Sequence, residues 1–460
     1  MAGITTWLDE ALAASTADEC VVILHDVTEA NLRWAINTGT TNGQMHSRTA
    51  SVVSISRRDG AGHAGVVSGP VAGADDLVRL VAGADSAALE APASDDSAPL
   101  PDPVVDADYA SGPEGTSVET LAPFAEGLGR ALAASREAGT ELFGFAEHQV
   151  TTTWLATSTG ARRRHVDRTG RVEINAKHAD RIGSAWVGQA TADFSDVDAD
   201  ALFAEVWRRL SWCENRVELP AGRYETILPP GAVADLAILA YWSMSGRDAE
   251  QGRNVYAGQQ PGTTRVGEAL SSLPLTLSSG PGRLQAAPFA IVDASDPGLT
   301  SVFDNGADVA EVDWIRDGLL ASLAYTRAGA ERSGIAGLPF PSANLTLDAG
   351  SATTLDDMVR ATKRGLLLTC LWYIREVDVE SLLVTGLTRD GVYLVEDGEI
   401  VGMVNNFRFN ESPVDLLRRA TEASQTTRTL CREWNDWFTV TSMPALRVPD
   451  FNMSTVSQAY

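Results

Sequence analysis

Hydrophobic and polar positions alternate along this chain with two different periods, and the switches between them outline its elements. Residues 4–18 carry helical spacing. CVVILHDV (20–27), NLRWAINT (31–38), TASVVSIS (49–56) and HAGVVSG (63–69) then predict four short strands separated by turn residues. ADDLVRLVAGA (74–84) returns to the helical period. Helical spacing resumes over 117–139, and a β-meander punctuated by Ser158-Thr159-Gly160 and Thr169-Gly170 follows. SDVDADALFAEVWRRLSWCEN (195–215) predicts a capped amphipathic helix.

Residues 217–231 predict a linker running into a strand and then a Pro-initiated helix, AVADLAILAYWSMSG. Val233, Leu236, Ala240 and Met244 share one face of it, and Ile238, Leu239 and Trp242 occupy the others. A helix apolar on every face belongs inside a core, and Gly246 stands where a C-terminal cap would. The segment 255–350 is rich in Gly, Pro, Ser and Thr, which points to β-structure with long loops. Within it, Asp304-Asn305-Gly306 predicts a turn with a helix after it. Asp390-Gly391 and Asp397-Gly398 flank Val392–Glu396 as a hairpin signal, and Ser412, Pro413 and Asp415 have the spacing of a helix start. One interval breaks both periods: 85–119 holds five Pro, nine acidic residues and no Lys or Arg. By its own composition it cannot bury enough apolar surface to order, so it is expected to be a disordered, solvated acidic insertion. The pattern as a whole predicts an α+β protein of two domains. An N-terminal α/β domain with an antiparallel sheet would span 1–218, and a β-rich domain around a buried central helix would span 219–460.

Length and charge narrow the class. At 460 residues the chain exceeds one ordinary core. A formal net charge of −25 argues against binding nucleic acid or anionic membranes. No apolar run approaches the ~18 residues of a membrane span, and the start, with Asp9 and Glu10, lacks the basic opening of a signal peptide. Cys20, Cys213, Cys370 and Cys431 lie far apart with no CxxC pair, so neither a zinc finger nor a disulfide framework is indicated and a reducing cytoplasm is expected. Only Lys177 and Lys363 are lysines, a codon signature of a high-GC bacterial genome.

Candidate chemistry is sparse. The six histidines are His25, His46, His63, His148, His165 and His178, and none lies beyond position 178. HExxH, nucleophile elbows, SxxK, phosphate loops and dinucleotide glycine runs are all absent. Asp196, Asp198 and Asp200 open like a calcium loop, but the sixth position is Ala201 and the twelfth Trp207, which leaves an acidic helix start. Cys370, in GLLLTCLWYI, has the setting of a buried small hydrophobe.

Four stretches nevertheless form a pattern: NLRWA, the helix after LPPGA, SVFDNG followed by WIRDGLL, and GLTRDGVYLVEDGEIVGMVNNFRFNES. Together they resemble the TldD/PmbA family (peptidase U62), and its TldE/PmbA-like branch more than its TldD branch. The TldD branch carries HExxxH on a helix and a distal Cys as zinc ligands, the intervening Glu deprotonating a zinc-bound water. On the helix after LPPGA the corresponding places hold Ile238, Leu239 and Ser243, and DWFTVTSMP (436–444), which resembles the Cys-bearing segment, has no Cys. The resemblance therefore implies a non-catalytic subunit with no catalytic residue, metal ligand or cofactor of its own. Its partner would be a TldD-like HExxxH chain that holds the zinc, in a heterodimer hydrolysing peptide or amide bonds for proteolysis, leader-peptide trimming or natural-product maturation. Alone, it could form a homodimer. The alternatives are a stand-alone regulatory or peptide-binding protein, and a non-zinc hydrolase built on residues such as Arg389, Asp390 or Cys370. The polar candidates for contact with substrate or partner are Arg389, Asp390, Asn405, Asn406 and Arg408. Against that role, Asp390 and Asn405 could serve only turns, and Arg408 could pair only with Glu411.

Overall fold

A computed structural model describes residues 3–180, 182–282 and 284–457. Residues 19–191 build one six-stranded antiparallel sheet. Its strands are β1 (Glu19–Ala35), β2 (Thr38–Arg58), β3 (Ala61–Pro70), β4 (Thr140–Thr157), β5 (Arg162–His178) and β6 (Ser184–Thr191), in the order β3-β2-β1-β4-β5-β6. The expected segment 20–27 and residues 31–35 of the expected segment 31–38 are thus one strand. The polar residues between them remain in register with β2 and β4, and the chain reverses only at Ile36 and Asn37, both at positive φ (50° and 57°).

Both faces of this sheet are covered at one end, which explains the unbroken apolar run CVVIL. Val22 and Leu24 pack with Leu8 of helix α1 (Ile4–Ala14) and with Leu77 and Val81 of α2 (Ala74–Glu90). Val21 and Ile23, one pleat away, meet Phe289, Val302 and Phe303 from the C-terminal half. Helices α3 (Ala122–Ala138) and α4 (Ala199–Ser211) pack at the other end, where Leu142 and Phe203 share a core with Leu367 and Tyr393. The expected N-cap of α4 is in place: the Asp198 carboxylate accepts from Ala201 N–H at 3.0 Å.

The stretch 85–119 is packed and not a disordered insertion. Its first six residues complete α2, and Leu100 and Tyr109 are buried. Its missing counter-charges come from elsewhere in the chain: Asp106 pairs with Arg163 and Asp108 with Arg164, both on β5. Asp85 accepts from Ser15, Thr16 and Ser54. Local composition shows none of these partners.

The remaining chain forms two further sheets. A mixed ten-stranded sheet begins with β7 (Arg216–Val217) and β8 (Gly222–Leu228), so strand pairing reaches back across the expected 218/219 boundary. A six-stranded sheet is assembled from short strands between Thr276 and Met443. Helix α5 (Pro230–Trp242) lies in the core that the two sheets share, with every residue from Ala232 to Tyr241 buried, as the all-round apolar pattern requires. Gly246 does not cap it. The helix ends at Ser243, and Gly246 opens a separate short helix capped by Ser245. The helix expected after Asp304-Asn305-Gly306 is a hairpin, Val312–Arg316 with Leu319–Leu320, turning at Asp317-Gly318. Asp397-Gly398 makes the expected hairpin turn, whereas Asp390-Gly391 joins strands that pair with others. No helix among the described residues is long and apolar enough to cross a membrane.

Candidate functional site

The α5 helix carries a single charge, Asp235, and it is fully buried. A carboxylate in an apolar core must find donors. Asp235 Oδ1 accepts the backbone N–H groups of Arg432 and Glu433 at 2.9 and 2.8 Å, and the Asp235 carbonyl accepts from Trp434 Nε1 at 2.9 Å. Oδ2 has no hydrogen-bond partner among the described residues. Burial, above all, pushes the Asp235 carboxyl well above its usual range, with the Glu433 charge adding to it and the two N–H bonds opposing.

The segment held by Asp235 reaches in three directions. The Arg432 guanidinium lies 4.5 Å from the Trp372 ring and 5.5 Å from the Trp186 ring, and bonds Glu173 of β5 at 2.9 Å. Glu433 accepts the backbone N–H groups of Tyr373 and Ile374 at 2.9 and 3.0 Å. Arg171 of β5 reaches Asn435 at 2.7 Å and Asp436 at 2.8 Å. Residues 431–438 therefore tie α5 to the N-terminal sheet and to the ten-stranded sheet. They also present aromatic side chains outward: Trp434 stacks edge-on against Trp242 at 5.4 Å, and Trp437 is 71% exposed.

A zinc ion does not fit this centre. Ile238 and Leu239 are buried and offer no lone pair, and the Ser243 hydroxyl donates back to Leu239 O at 2.9 Å. Cys370 and Cys431 lie nearby, but burial, reinforced by surrounding carboxylates, pushes both thiols well above their usual range. Among the described residues, no group of three or more His, Cys, Asp or Glu side chains is arranged to hold a metal.

The structure brings together three of the five polar candidates. Asp390, Asn405 and Asn406 line one cavity of about 540 Å³ beside β7. Arg389 is not among its lining residues; its guanidinium lies 5.9 Å from the Trp372 ring. Arg408 sits on the exposed face of a strand and bonds Thr385 at 3.2 Å, while Glu411 pairs with Arg419 instead. Sequence reasoning missed Asp235 and Arg432. The available signal was the lone carboxylate inside an apolar helix, which demands a partner without saying where it lies.

The architecture is thus a long antiparallel sheet joined to two further sheets around a buried helix. The PmbA/TldA metallopeptidase C-terminal domain matches residues 221–455, more than half of the chain, and the chain belongs to this family. Its fold is similar over its whole length to that of TldE from Thermococcus kodakarensis, at 15% identity and TM-score 0.76, covering 98% of this chain and 99% of that one. A candidate DNA gyrase modulator from Thermotoga maritima gives 14% identity and TM-score 0.74, covering 97% and 99%. A third structure, a candidate gyrase modulator from Bacteroides thetaiotaomicron, gives 13% and 0.73, covering 98% of each chain. A search of curated proteins by sequence returned no significant match.

Proposed function

We propose that this chain is a catalytically silent, TldE-like subunit. It pairs with a TldD-like chain bearing HExxxH and closes one wall of the cleft in which that partner's zinc hydrolyses peptide or amide bonds. The observation that carries this reading is α5. At the place where the catalytic branch needs two imidazoles and a glutamate, this helix presents Ile238, Leu239 and Ser243. The fold likeness to a TldE supports the same branch. The four buried, unbridged cysteines are compatible with the reducing cytoplasm this function needs.

A second observation supports a partner-facing surface next to α5. Trp242, Tyr373 and Trp437 are exposed around the end of the helix and the segment tied to Asp235. Aromatic residues on rigid supports are the usual anchors of protein interfaces. A stable pair should bury more than about 1,200 Å². Co-expression with the TldD-like chain of the same genome should give a heterodimer by light scattering. Trp437→Glu should weaken it at least about tenfold, as loss of an interface anchor does, without lowering the melting temperature of the isolated chain. A Trp437→Glu chain that assembles as tightly as the native one would remove this face from the interface. Failure of the native chain to assemble at all would favour the stand-alone reading.

A further inference from the structure

The cavity beside β7 has a composition that selects a ligand. At about 540 Å³ it falls within the ~300–1,000 Å³ of small-ligand sites. Leu219, Met403 and Val456 give it apolar walls, Asp390, Ser184 and Asn405 supply polar groups, and Arg216 and Glu218 also line it. Asp390 is only 7% exposed. One of its oxygens receives the Ser184 hydroxyl at 2.6 Å. The nearest paired cation, Arg389, holds its Nε 3.6 Å from the other oxygen, beyond hydrogen-bond range, with its guanidinium turned toward Trp372. Among the described residues, this nearly buried carboxylate thus has one neutral hydrogen bond and an ion pair with Arg389 too long to be a hydrogen bond, an arrangement that an incoming charge-assisted donor would complete.

The character of that donor follows from what surrounds it. An anion could reach Arg216 but would meet two carboxylates, Asp390 and Glu218, in a chain of net charge −25. A divalent cation would need several oxygen ligands, and no group of three or more His, Cys, Asp or Glu side chains gathers for one among the described residues. A compact ammonium needs only one accepting oxygen and tolerates apolar walls around its stem. Asn405 spends its carbonyl oxygen on Leu219 N–H at 2.8 Å, and among the described residues its amide nitrogen reaches only Asn406 O, 3.5 Å away, so that amide can turn to a peptide carbonyl.

We propose that this cavity binds an alkylammonium group carried on an apolar peptide segment, with the ammonium against Asp390 and a peptide carbonyl against Asn405. The choice of a peptide as carrier rests on the function proposed above; recognition of the ammonium does not. The site would select which stretch of a polypeptide is held while a partner subunit cleaves elsewhere.

The test uses the full chain without any partner, titrated calorimetrically with acetyl-Val-Lys-Val-amide. The comparison probes are acetyl-Val-norleucine-Val-amide, which keeps the stem and removes the charge, and Val-Val-Val-amide, whose only ammonium is its N-terminus. At least one ammonium peptide should bind ten times or more tighter than the norleucine peptide. The lysine peptide being the tighter of the two assigns the site to a side chain, and Val-Val-Val-amide being the tighter assigns it to a chain end. Asp390→Asn should abolish the preference, and Leu219→Trp, which fills the cavity, should weaken every probe. Equal binding of all three peptides to the native chain, or no binding at millimolar concentrations, overturns the proposal without recourse to a variant. Because no partner is present, that failure leaves the paired-subunit reading standing, and an inactive pair would leave this site standing.

Discussion

Asp235 has a measurable signature at the residue scale. Its folded pKa lies well above the 3.8 of an ordinary Asp. Above pH ~3.8 the unfolded chain has released a proton that the folded chain still holds, so stability falls as pH rises from there to the folded value. Asp235→Asn keeps an oxygen for the N–H groups of Arg432 and Glu433 and removes the titration. The variant should therefore gain stability relative to the native chain as pH rises from about 4 to 7, by roughly 1.4 kcal/mol for each pKa unit of the shift. Urea unfolding at several pH values reads this directly; a difference independent of pH would show that Asp235 does not titrate in this range. The sequence exposed half of this arrangement. A carboxylate in AVADLAILAYW is conspicuous, but its donors lie some 197 residues away and no local pattern points to them. The same holds for Arg408: proximity in sequence suggested Glu411, and the fold gave that carboxylate to Arg419.

Among the elements, periodicity located the helices well and the strand ends poorly. Helix α5 was legible because an apolar residue on every face leaves burial as the only outcome. The long strands were not, because polar residues at the solvated ends of β1 and β2 look like turns when their sheet neighbours are unknown. The acidic stretch was misjudged for the same reason, its arginines being supplied by β5. Close packing of elements gives a sharper expectation. A Cβ on Gly65 would lie 2.2 Å from Ala88 N and 2.3 Å from Ala84 O, both backbone atoms of α2, whereas one on Gly69 would meet only the end of Leu80 at 3.2 Å. Gly65→Ala should therefore cost about 1–3 kcal/mol or more, since helix and strand must separate, and Gly69→Ala markedly less. Chemical denaturation of the two variants checks the ranking; equal costs would contradict the described contact of β3 with α2.

For the whole molecule, membership of the family was legible in the C-terminal signatures, and the family match begins one residue before β8. The candidate site was legible only in part. Asp390, Asn405 and Asn406 share a wall because the ten-stranded sheet brings two strand ends together. Arg389 stands off that wall in the loop after the strand Leu383–Thr388, turned toward Trp372, and Arg408 lies on the strand Phe407–Glu411, bonded to Thr385. The residues that tie α5 to the rest of the molecule come from three separate parts of the chain. Such a centre can position a surface, and among the described residues no group of three or more His, Cys, Asp or Glu side chains could hold a metal there. The function proposed above places the chemistry on another chain.

Peptide hydrolysis by the co-expressed pair tests that assignment most directly, with substitutions made in one chain at a time. Changing the HExxxH glutamate of the TldD-like chain to Gln should reduce turnover to background. Replacing Cys370 or any one of the six histidines of this chain should leave it near the native rate. A single histidine replacement here that abolished turnover while the heterodimer stayed assembled would contradict the account.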